Sequence, residues 1–220
     1  MIYLWPKNIS KAKVIQDALR KKVKITSPKK IPAFIAGVDA AFVDDRVIAV
    51  ATLYKYPYLK HIQDVSTIEK TRFPYVPGFL SFREGHAIIR AIKKLNIKPD
   101  LILFDGQGIA HPKGIGIASH IGVILNIPTI GCAKSRLIGE FNEPDMRKGD
   151  WTDLYYKGIK VGVVLRTRDN VKPVFVSPGH LIDINSSIEI VMRCVAGFRI
   201  PEPLRRADQI SKKLKQIIFR

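Results

Sequence analysis

The chain has 220 residues, of which 46% are hydrophobic and 25% are charged, and this composition excludes a wholly disordered protein. Lysine and arginine number 37 against 19 aspartates and glutamates, so the net charge is +18 and the expected partner is a polyanion such as nucleic acid. No apolar run approaches the roughly 20 residues that cross a bilayer, the start lacks a signal-peptide pattern, and two cysteines are too few for a disulfide framework or zinc cluster. We therefore expect a single domain over residues 1–220, monomeric and cytoplasmic, with no membrane attachment.

The first part of the chain predicts a basic helix and then an antiparallel meander. Helical apolar spacing and a potential cap at Ser10 indicate the helix, whereas alternating apolar residues indicate the strands. Proline and glycine then indicate a loop. The predicted elements are, in order, a helix over 10–22, a β-hairpin over 31–43 and 47–56, a third strand over 61–73 and a loop over 74–82.

The rest of the chain alternates helices with short apolar strands. This order after a meander indicates an α/β fold, with a mixed central β-sheet of antiparallel and parallel strands flanked by helices. We expect the basic terminal helices to pack on this sheet. The predicted elements are a helix over 82–95, a strand over 100–104, a helix after a glycine-rich loop, a strand over 128–133, a hairpin over 157–168 and 172–178, and helices over 187–195 and 203–218.

Three carboxylates lie at positions in the sequence that are candidates for a functional site. Asp39 lies inside the apolar segment FIAGVDAAFV, where an unpaired charge is costly, and Asp105 directly follows the apolar strand DLILF. Glu84 lies at a helix start. Each also has an ordinary explanation: a paired buried acid for Asp39, an Asp-Gly turn for Asp105, and a capping box with Ser81 for Glu84.

The three acids together predict a metal site if the sheet brings them close. A cluster of like charges is stable only around a cation, and oxygen ligands favour Mg²⁺, with Mn²⁺ as a substitute. Carboxylate-bound Mg²⁺ on a strongly basic protein is typical of phosphodiester hydrolysis.

Glycines and strand-end side chains surround these acids in the sequence. Glycines between 106 and 116 allow a base or a phosphate to approach the backbone closely. Lys134 and His180 each follow a strand, as Asp105 does, although a structural role is the simpler explanation for either residue alone. In one cleft with Asp105, they would suit phosphate binding and proton transfer.

Five motifs resemble, in order, those of the endonuclease V family, the deoxyinosine 3′ endonucleases of DNA repair. The motifs are VDAAF, PYVPGFLSFREG, DGQGIAHPKGIGIASHIG, GCAKSRL and SPGHLID, and the resemblance covers about residues 8–195. It implies an RNase H-like fold and damaged DNA, single or double stranded, as the partner. The implied reaction is Mg²⁺-dependent hydrolysis of the second phosphodiester 3′ to deoxyinosine, which leaves 3′-hydroxyl and 5′-phosphate ends.

The resemblance also implies roles for individual residues. Asp39, Glu84 and Asp105 would hold the metal and would form the catalytic group with Lys134 and His180. The motif PYVP would be a wedge whose Tyr75 fills the gap left by the extruded lesion base. The implied substrate-binding residues, including those of a base pocket, are Pro74, Tyr75, Val76, Pro77, Gly78, Leu80, Arg83, Gly106, Gly108, His111, Gly116 and Ile117.

Two other functions stay open. Some relatives of endonuclease V act on RNA, so the substrate could be inosine-containing RNA, and contacts to the 2′-hydroxyl would then separate the two substrates. The chain could also be a non-catalytic nucleic-acid-binding module, although the presence of all three acids argues against this.

Overall fold

The computed structural model describes residues 5–6, 8–71 and 73–218. The strands are β1 (Phe34–Val43), β2 (Arg46–Lys55), β3 (Lys60–Lys70), β4 (Leu101–Phe104), β5 (Thr129–Ala133), β6 (Trp151–Tyr156), β7 (Ile159–Leu165) and β8 (Val174–His180). The helices are α1 (Ile9–Arg20), α2 (Leu80–Lys93), α3 (Ile117–Leu125), α4 (Ile184–Arg193) and α5 (Glu202–Ile218). The strands form one sheet in the order β3-β2-β1-β4-β5-β8-β7-β6.

The sheet is mixed, as the sequence predicts. β1, β2 and β3 form the antiparallel meander, and β4 then pairs parallel with both β1 and β5. β8 returns antiparallel to β5, and β7 and β6 complete the sheet. The carboxyl ends of β1, β4 and β5 consequently lie close to one another, and this is where ligands bind in open sheets of this kind. The expected α/β class with an RNase H-like mixed sheet is confirmed.

Two local predictions differ from the structure at their boundaries. The first helix is capped by Asn8, whose side chain accepts a hydrogen bond from the Lys11 N–H at 2.9 Å, and not by Ser10. The fourth helix begins three residues earlier than predicted, because Asp183 caps it through the Ser186 N–H at 2.7 Å.

The edge strand β6 is absent from the sequence-based prediction. Of its six residues only Leu154 is buried, so the segment lacks the apolar alternation by which a half-buried strand is detected. Backbone pairing with β7 defines this strand instead.

Helices cover both faces of the sheet, and α5 is held most closely to it. A Cβ on Gly37 of β1 would lie 2.3 Å from the carbonyl carbon of Pro203, so this glycine lets the helix approach the strand backbone. The Thr52 hydroxyl donates to the Pro203 carbonyl at 2.9 Å, and Arg206 pairs with Asp64 of β3 at 2.6 Å. These contacts set the position of α5 across β1.

Candidate metal centre and adjoining cavity

Asp39 and Asp105 are brought together by the register of two parallel strands. Val38 of β1 lies opposite Phe104 of β4, so the residues that follow them are neighbours. Oxygen atoms of Asp39, Asp105 and Asp208 all lie within 4.8 Å of one another, and these three residues are termed the acidic cluster below. The convergence of Asp39 and Asp105 is the one that the sequence predicts.

Asp208 is the member of the acidic cluster that sequence reasoning missed. It lies on α5, whose many lysines and arginines indicate a solvent-exposed basic helix. Its pairing with Lys212, four residues on, at 2.7 Å resembles an ordinary surface ion pair. In the folded chain Asp208 lies beside buried Ala207 and Ser211, at the edge of the face that packs on the sheet, and the sequence alone does not indicate this position.

Lys134 is the principal cation of the site. Its ammonium group lies 2.6 Å from Asp105 Oδ2 and 2.8 Å from Asp208 Oδ1, so it joins the loop after β5 to both acids. Partial burial opposes the charged form, but the hydrogen bonds to the two carboxylates outweigh it and raise the pKa of Lys134. Lys134 therefore remains protonated and offsets part of the negative charge.

The carboxylate of Asp39 is held in an unfavourable charged environment. Burial raises its pKa to about 6, and the charges of Asp105 and Asp208 act in the same direction. The hydroxyl of Ser211 opposes this effect by donating a hydrogen bond to Asp39 Oδ2 at 2.5 Å.

Glu84 is almost fully buried next to this group, with 8% of its surface exposed. Burial raises its pKa to about 8, and the charge of Asp39 adds to the shift. The capping-box explanation is wrong, because α2 has no side-chain cap and the Ser81 hydroxyl instead contacts His120 Nδ1 at 2.7 Å. Glu84 lies outside the acidic cluster as the geometry defines it, so its role as a metal ligand stays a prediction.

The residues present fit a hard divalent cation. The acidic cluster offers only carboxylate oxygens, the ligand type preferred by Mg²⁺ and Mn²⁺. Burial is the main cause of the raised pKa values of Asp39 and Glu84, and the charges of neighbouring acids add to it. A bound divalent cation would favour the charged form of both groups.

A cavity of about 450 Å³ adjoins the acidic cluster, and Asp105 and Lys134 contribute to its wall. This recognition cavity lies between the loop before α2 and the glycine-rich loop after β4. Nine of the twelve residues expected to bind substrate line it: Tyr75, Val76, Pro77, Gly78, Leu80, Gly106, His111, Gly116 and Ile117. Because Asp105 belongs to both features and Lys134 of the cavity wall contacts two of the acids, a nucleotide in the cavity would lie next to the acidic cluster.

Three of the expected substrate-binding residues are absent from this wall. A Cβ on Gly108 would lie 2.1 Å from the Pro178 carbonyl oxygen, so this glycine is needed for packing against β8. The Arg83 guanidinium lies over the Phe42 ring at 4.5 Å. Pro74 is exposed on the approach to the cavity.

His111 presents a neutral imidazole to the recognition cavity. Burial lowers its pKa to about 4, so the ring is uncharged at neutral pH. Its Nδ1 accepts a hydrogen bond from the Lys113 N–H at 3.2 Å, which places the ring proton on Nε2. The cavity wall therefore contains a hydrogen-bond donor without a positive charge.

The structure does not bring His180 to the acids. β8 runs antiparallel to β5, so His180 pairs with Thr129 at the start of β5, whereas Lys134 follows its end. His180 is buried, and its Nδ1 accepts from the Lys24 N–H at 3.2 Å. The expectation that His180 shares a cleft with Asp105 therefore does not hold.

No helix in the part of the chain that the structure describes combines the length and apolar character needed to cross a membrane.

The chain is similar to proteins of one family. The family model described as Endonuclease V matches residues 17–209. The endonuclease V of Dictyoglomus turgidum is 48% identical over 200 residues, which make up 91% of this chain and 88% of that protein.

Two solved structures have the same fold. The crystal structure of the Streptomyces avermitilis endonuclease V has a TM-score of 0.93 at 36% identity, over 98% of this chain and 96% of that one. The Ciona intestinalis endonuclease V has a TM-score of 0.83 at 29% identity, over 96% of this chain and 100% of that one. The latter is in complex with a 24-mer DNA that contains an inosine followed by a ribo-adenosine.

Proposed function

Since the chain belongs to the endonuclease V family, whose members are nucleases, we propose that it is a DNA repair endonuclease that recognises deoxyinosine and nicks the strand on its 3′ side. The bond hydrolysed would be the second phosphodiester 3′ to the lesion, leaving 3′-hydroxyl and 5′-phosphate ends. The single observation that carries the proposal is the continuity of the recognition cavity with the acidic cluster through Asp105 and Lys134.

The cavity suits a base that has been turned out of the helix. Its volume of about 450 Å³ falls within the usual range for small-molecule sites, and Gly78, Gly106 and Gly116 expose backbone in its wall. Hypoxanthine lacks the exocyclic amine of adenine and of guanine, so close backbone walls can accept its edge and exclude both normal purines. Because α2 begins at Leu80 without a side-chain cap, its first N–H groups are available to a keto oxygen.

The acidic cluster suits hydrolysis of a phosphodiester. Asp39, Asp105 and Asp208 would hold Mg²⁺, or Mn²⁺ in its place, with Glu84 as a further ligand. When bound, such an ion activates water and stabilises charge that develops on the phosphate. Lys134 lies where its ammonium can contact the phosphate group.

A labelled duplex with one deoxyinosine tests the proposal. Incubation with Mg²⁺ should give one nick, at the second phosphodiester 3′ to the lesion when read against a size ladder, and EDTA should abolish it. A matched duplex with deoxyadenosine at that position is the control. Binding without a nick under Mg²⁺ and Mn²⁺ would contradict the proposal.

Inosine-containing RNA is a second candidate substrate. The observation that favours it is the ribo-adenosine after the inosine in the DNA bound to the Ciona intestinalis protein. Strands of one sequence, made as DNA, as RNA and as DNA with one ribonucleotide after the inosine, would separate the candidates. Faster cleavage of the DNA strand is expected, and faster cleavage of the all-RNA strand would reverse the assignment.

We also propose that the protein acts as a monomer in the cytoplasm. One chain supplies both the acidic cluster and the recognition cavity. Cys132 and Cys194 are free and buried, which fits a reducing compartment.

A further inference from the structure

We propose that Gln16 of α1 is a positioning residue for base recognition, which acts by fixing the carbonyl group of Gly78 in the wall of the recognition cavity. The inference rests on the proposed function of that cavity. It assigns a specificity-determining role to the N-terminal helix, which the sequence presents only as a basic amphipathic helix.

The hydrogen bond between Gln16 and Gly78 is the central observation. Gln16 Nε2 donates to the Gly78 carbonyl oxygen at 2.8 Å, across 62 positions of sequence. Only 2% of the Gln16 surface is exposed, although this residue lies on a helix with many charged side chains. A buried amide is costly without a partner, so the orientation of the Gly78 peptide is tied to the packing of α1.

The segment that receives this hydrogen bond has few other restraints. Residues 74–79, termed the wedge loop, include the exposed Pro74, Tyr75 and Pro77. The Phe79 N–H closes one turn on the Val76 carbonyl at 3.0 Å. Among the described residues, Gln16 makes the sole side-chain hydrogen bond to the wedge loop. Loss of that bond would leave the Gly78 peptide oriented by its turn alone.

A change in the orientation of the Gly78 peptide would affect the cavity wall directly. Gly78 has a φ of +83°, in the left-handed region that glycine tolerates, and its missing Cβ faces the His111 ring at 3.9 Å. The Gly78 peptide thus lies between the rest of the wedge loop and the neutral imidazole of His111 in the cavity wall. A rotation of this peptide would change the shape of the wall that meets the base.

The apolar contacts of α1 hold the loop in place but do not orient this peptide. Ala12 belongs to a buried cluster with Phe73, Phe79 and Phe82, and Ile15 packs against it. Substitution of Gln16 therefore removes a directional contact while the cluster remains. Exclusion of the guanine amine requires a rigid cavity wall. We therefore expect the substitution to reduce discrimination between deoxyinosine and deoxyguanosine more than it reduces the stability of the fold.

Gln16→Leu tests this role, because it keeps an extended side chain and removes the donor. The matched control is Gln63→Leu, since Gln63 accepts from the Asn96 N–H at 2.9 Å and lies outside the cavity. The readout is kcat/KM on a deoxyinosine duplex divided by kcat/KM on the deoxyguanosine duplex of the same sequence. Fluorescence of 2-aminopurine beside the lesion, without metal, reports base extrusion independently of cleavage.

Gln16→Leu should lower the discrimination ratio about tenfold, the effect of one lost hydrogen bond, and Gln63→Leu should leave it unchanged. The Mg²⁺ concentration for half-maximal cleavage should not move. Where Gln16→Leu unfolds, Gln16→Asn, which shortens the reach but keeps the amide, provides the same comparison. A parent protein without preference for deoxyinosine would overturn the proposed function and this inference together. A parent with that preference and folded Gln16 variants that retain it in full would overturn this inference alone.

Discussion

The Ser211 hydroxyl donates a 2.5 Å hydrogen bond to Asp39 Oδ2, and the two residues are 172 positions apart. Ser211 lies one helical turn after Asp208, and its hydroxyl is also 3.0 Å from the Asp208 backbone carbonyl oxygen, so a buried side chain of α5 contacts a carboxylate of β1. The bond satisfies one carboxylate oxygen of Asp39 and leaves the other available to a cation. Ser211 thus orders the acidic cluster before any metal binds.

Ser211→Ala should weaken divalent metal binding. Without this hydrogen bond the charged form of Asp39 loses a favourable partner, and an effect of about 1.4 kcal/mol corresponds to a tenfold higher dissociation constant for Mn²⁺. Calorimetric or EPR titration of the free protein with Mn²⁺ measures this directly. Ser187→Ala is the control, because Ser187 is also a buried helical serine and donates to the Asp183 carbonyl at 2.6 Å, outside the cluster. Equal affinity in the two variants would exclude the ordering role.

Neutralising an acid of the cluster should abolish cleavage and yet stabilise the metal-free fold. Asp39→Asn removes a charge that acts on Glu84, so the pKa of Glu84 should fall toward its ordinary value. Thermal unfolding in EDTA should show an increase of a few degrees in Tm for Asp39→Asn, equivalent to about 1 kcal/mol. Nicking by Asp39→Asn near the parental rate would contradict the assignment of this residue to the metal site.

The stability of the metal-free protein should fall as the pH rises from 7 to 9. The pKa values of Asp39 and Glu84 are raised to about 6 and about 8 in the folded protein, so the folded state holds protons that the unfolded chain has released. Their contribution is complete below about pH 4 and is lost as the pH rises through both folded-state values. Between pH 7 and pH 9, where Glu84 releases its proton, the free energy of unfolding should fall by about 1 kcal/mol.

Denaturant unfolding in EDTA at several pH values measures this loss, and the same series in excess Mg²⁺ is the comparison. Metal binding must displace protons, so its stabilising effect should grow with pH over the same interval. Buried His111 and His120 have lowered pKa values and add stability as the pH rises to about 6.5, so the deciding interval is pH 7 to pH 9. A stability curve in EDTA that rises between pH 7 and pH 9 would show that Glu84 does not carry a raised pKa.

The meeting of Asp39 and Asp105 could be anticipated because one lies within an apolar strand and the other directly follows one, and parallel pairing of these strands brings the two positions together. The same argument failed for His180, which also follows an apolar strand. Direction was the missing information: β8 runs antiparallel to β5, and its end lies at the opposite edge. Strand direction is set by long-range pairing, and local alternation is the same for both directions.

Asp208 and Gln16 were not predictable for a different reason. Each is a polar residue on a helix whose composition indicates a solvated surface, and each becomes part of a site only through the docking of that helix. Docking of α5 depends on Gly37 of β1, because Pro203 occupies the space that a side chain at this position would fill. The sequence does not indicate that these two residues meet. Helix amphipathicity indicates which face is buried but not which neighbour it meets.

Tyr75→Ala should reduce lesion discrimination more than it reduces binding to undamaged DNA. Tyr75 is 68% exposed at the mouth of the recognition cavity, where an aromatic ring can stack in the space left by an extruded base. Stacking of this kind contributes about 1–3 kcal/mol, so the preference for deoxyinosine should fall tenfold or more. Tyr58→Ala is the matched control, because Tyr58 is 82% exposed and lies outside the cavity. Equal losses on damaged and undamaged duplexes would indicate that Tyr75 contributes only general affinity, and the wedge role would then pass to another residue of the loop.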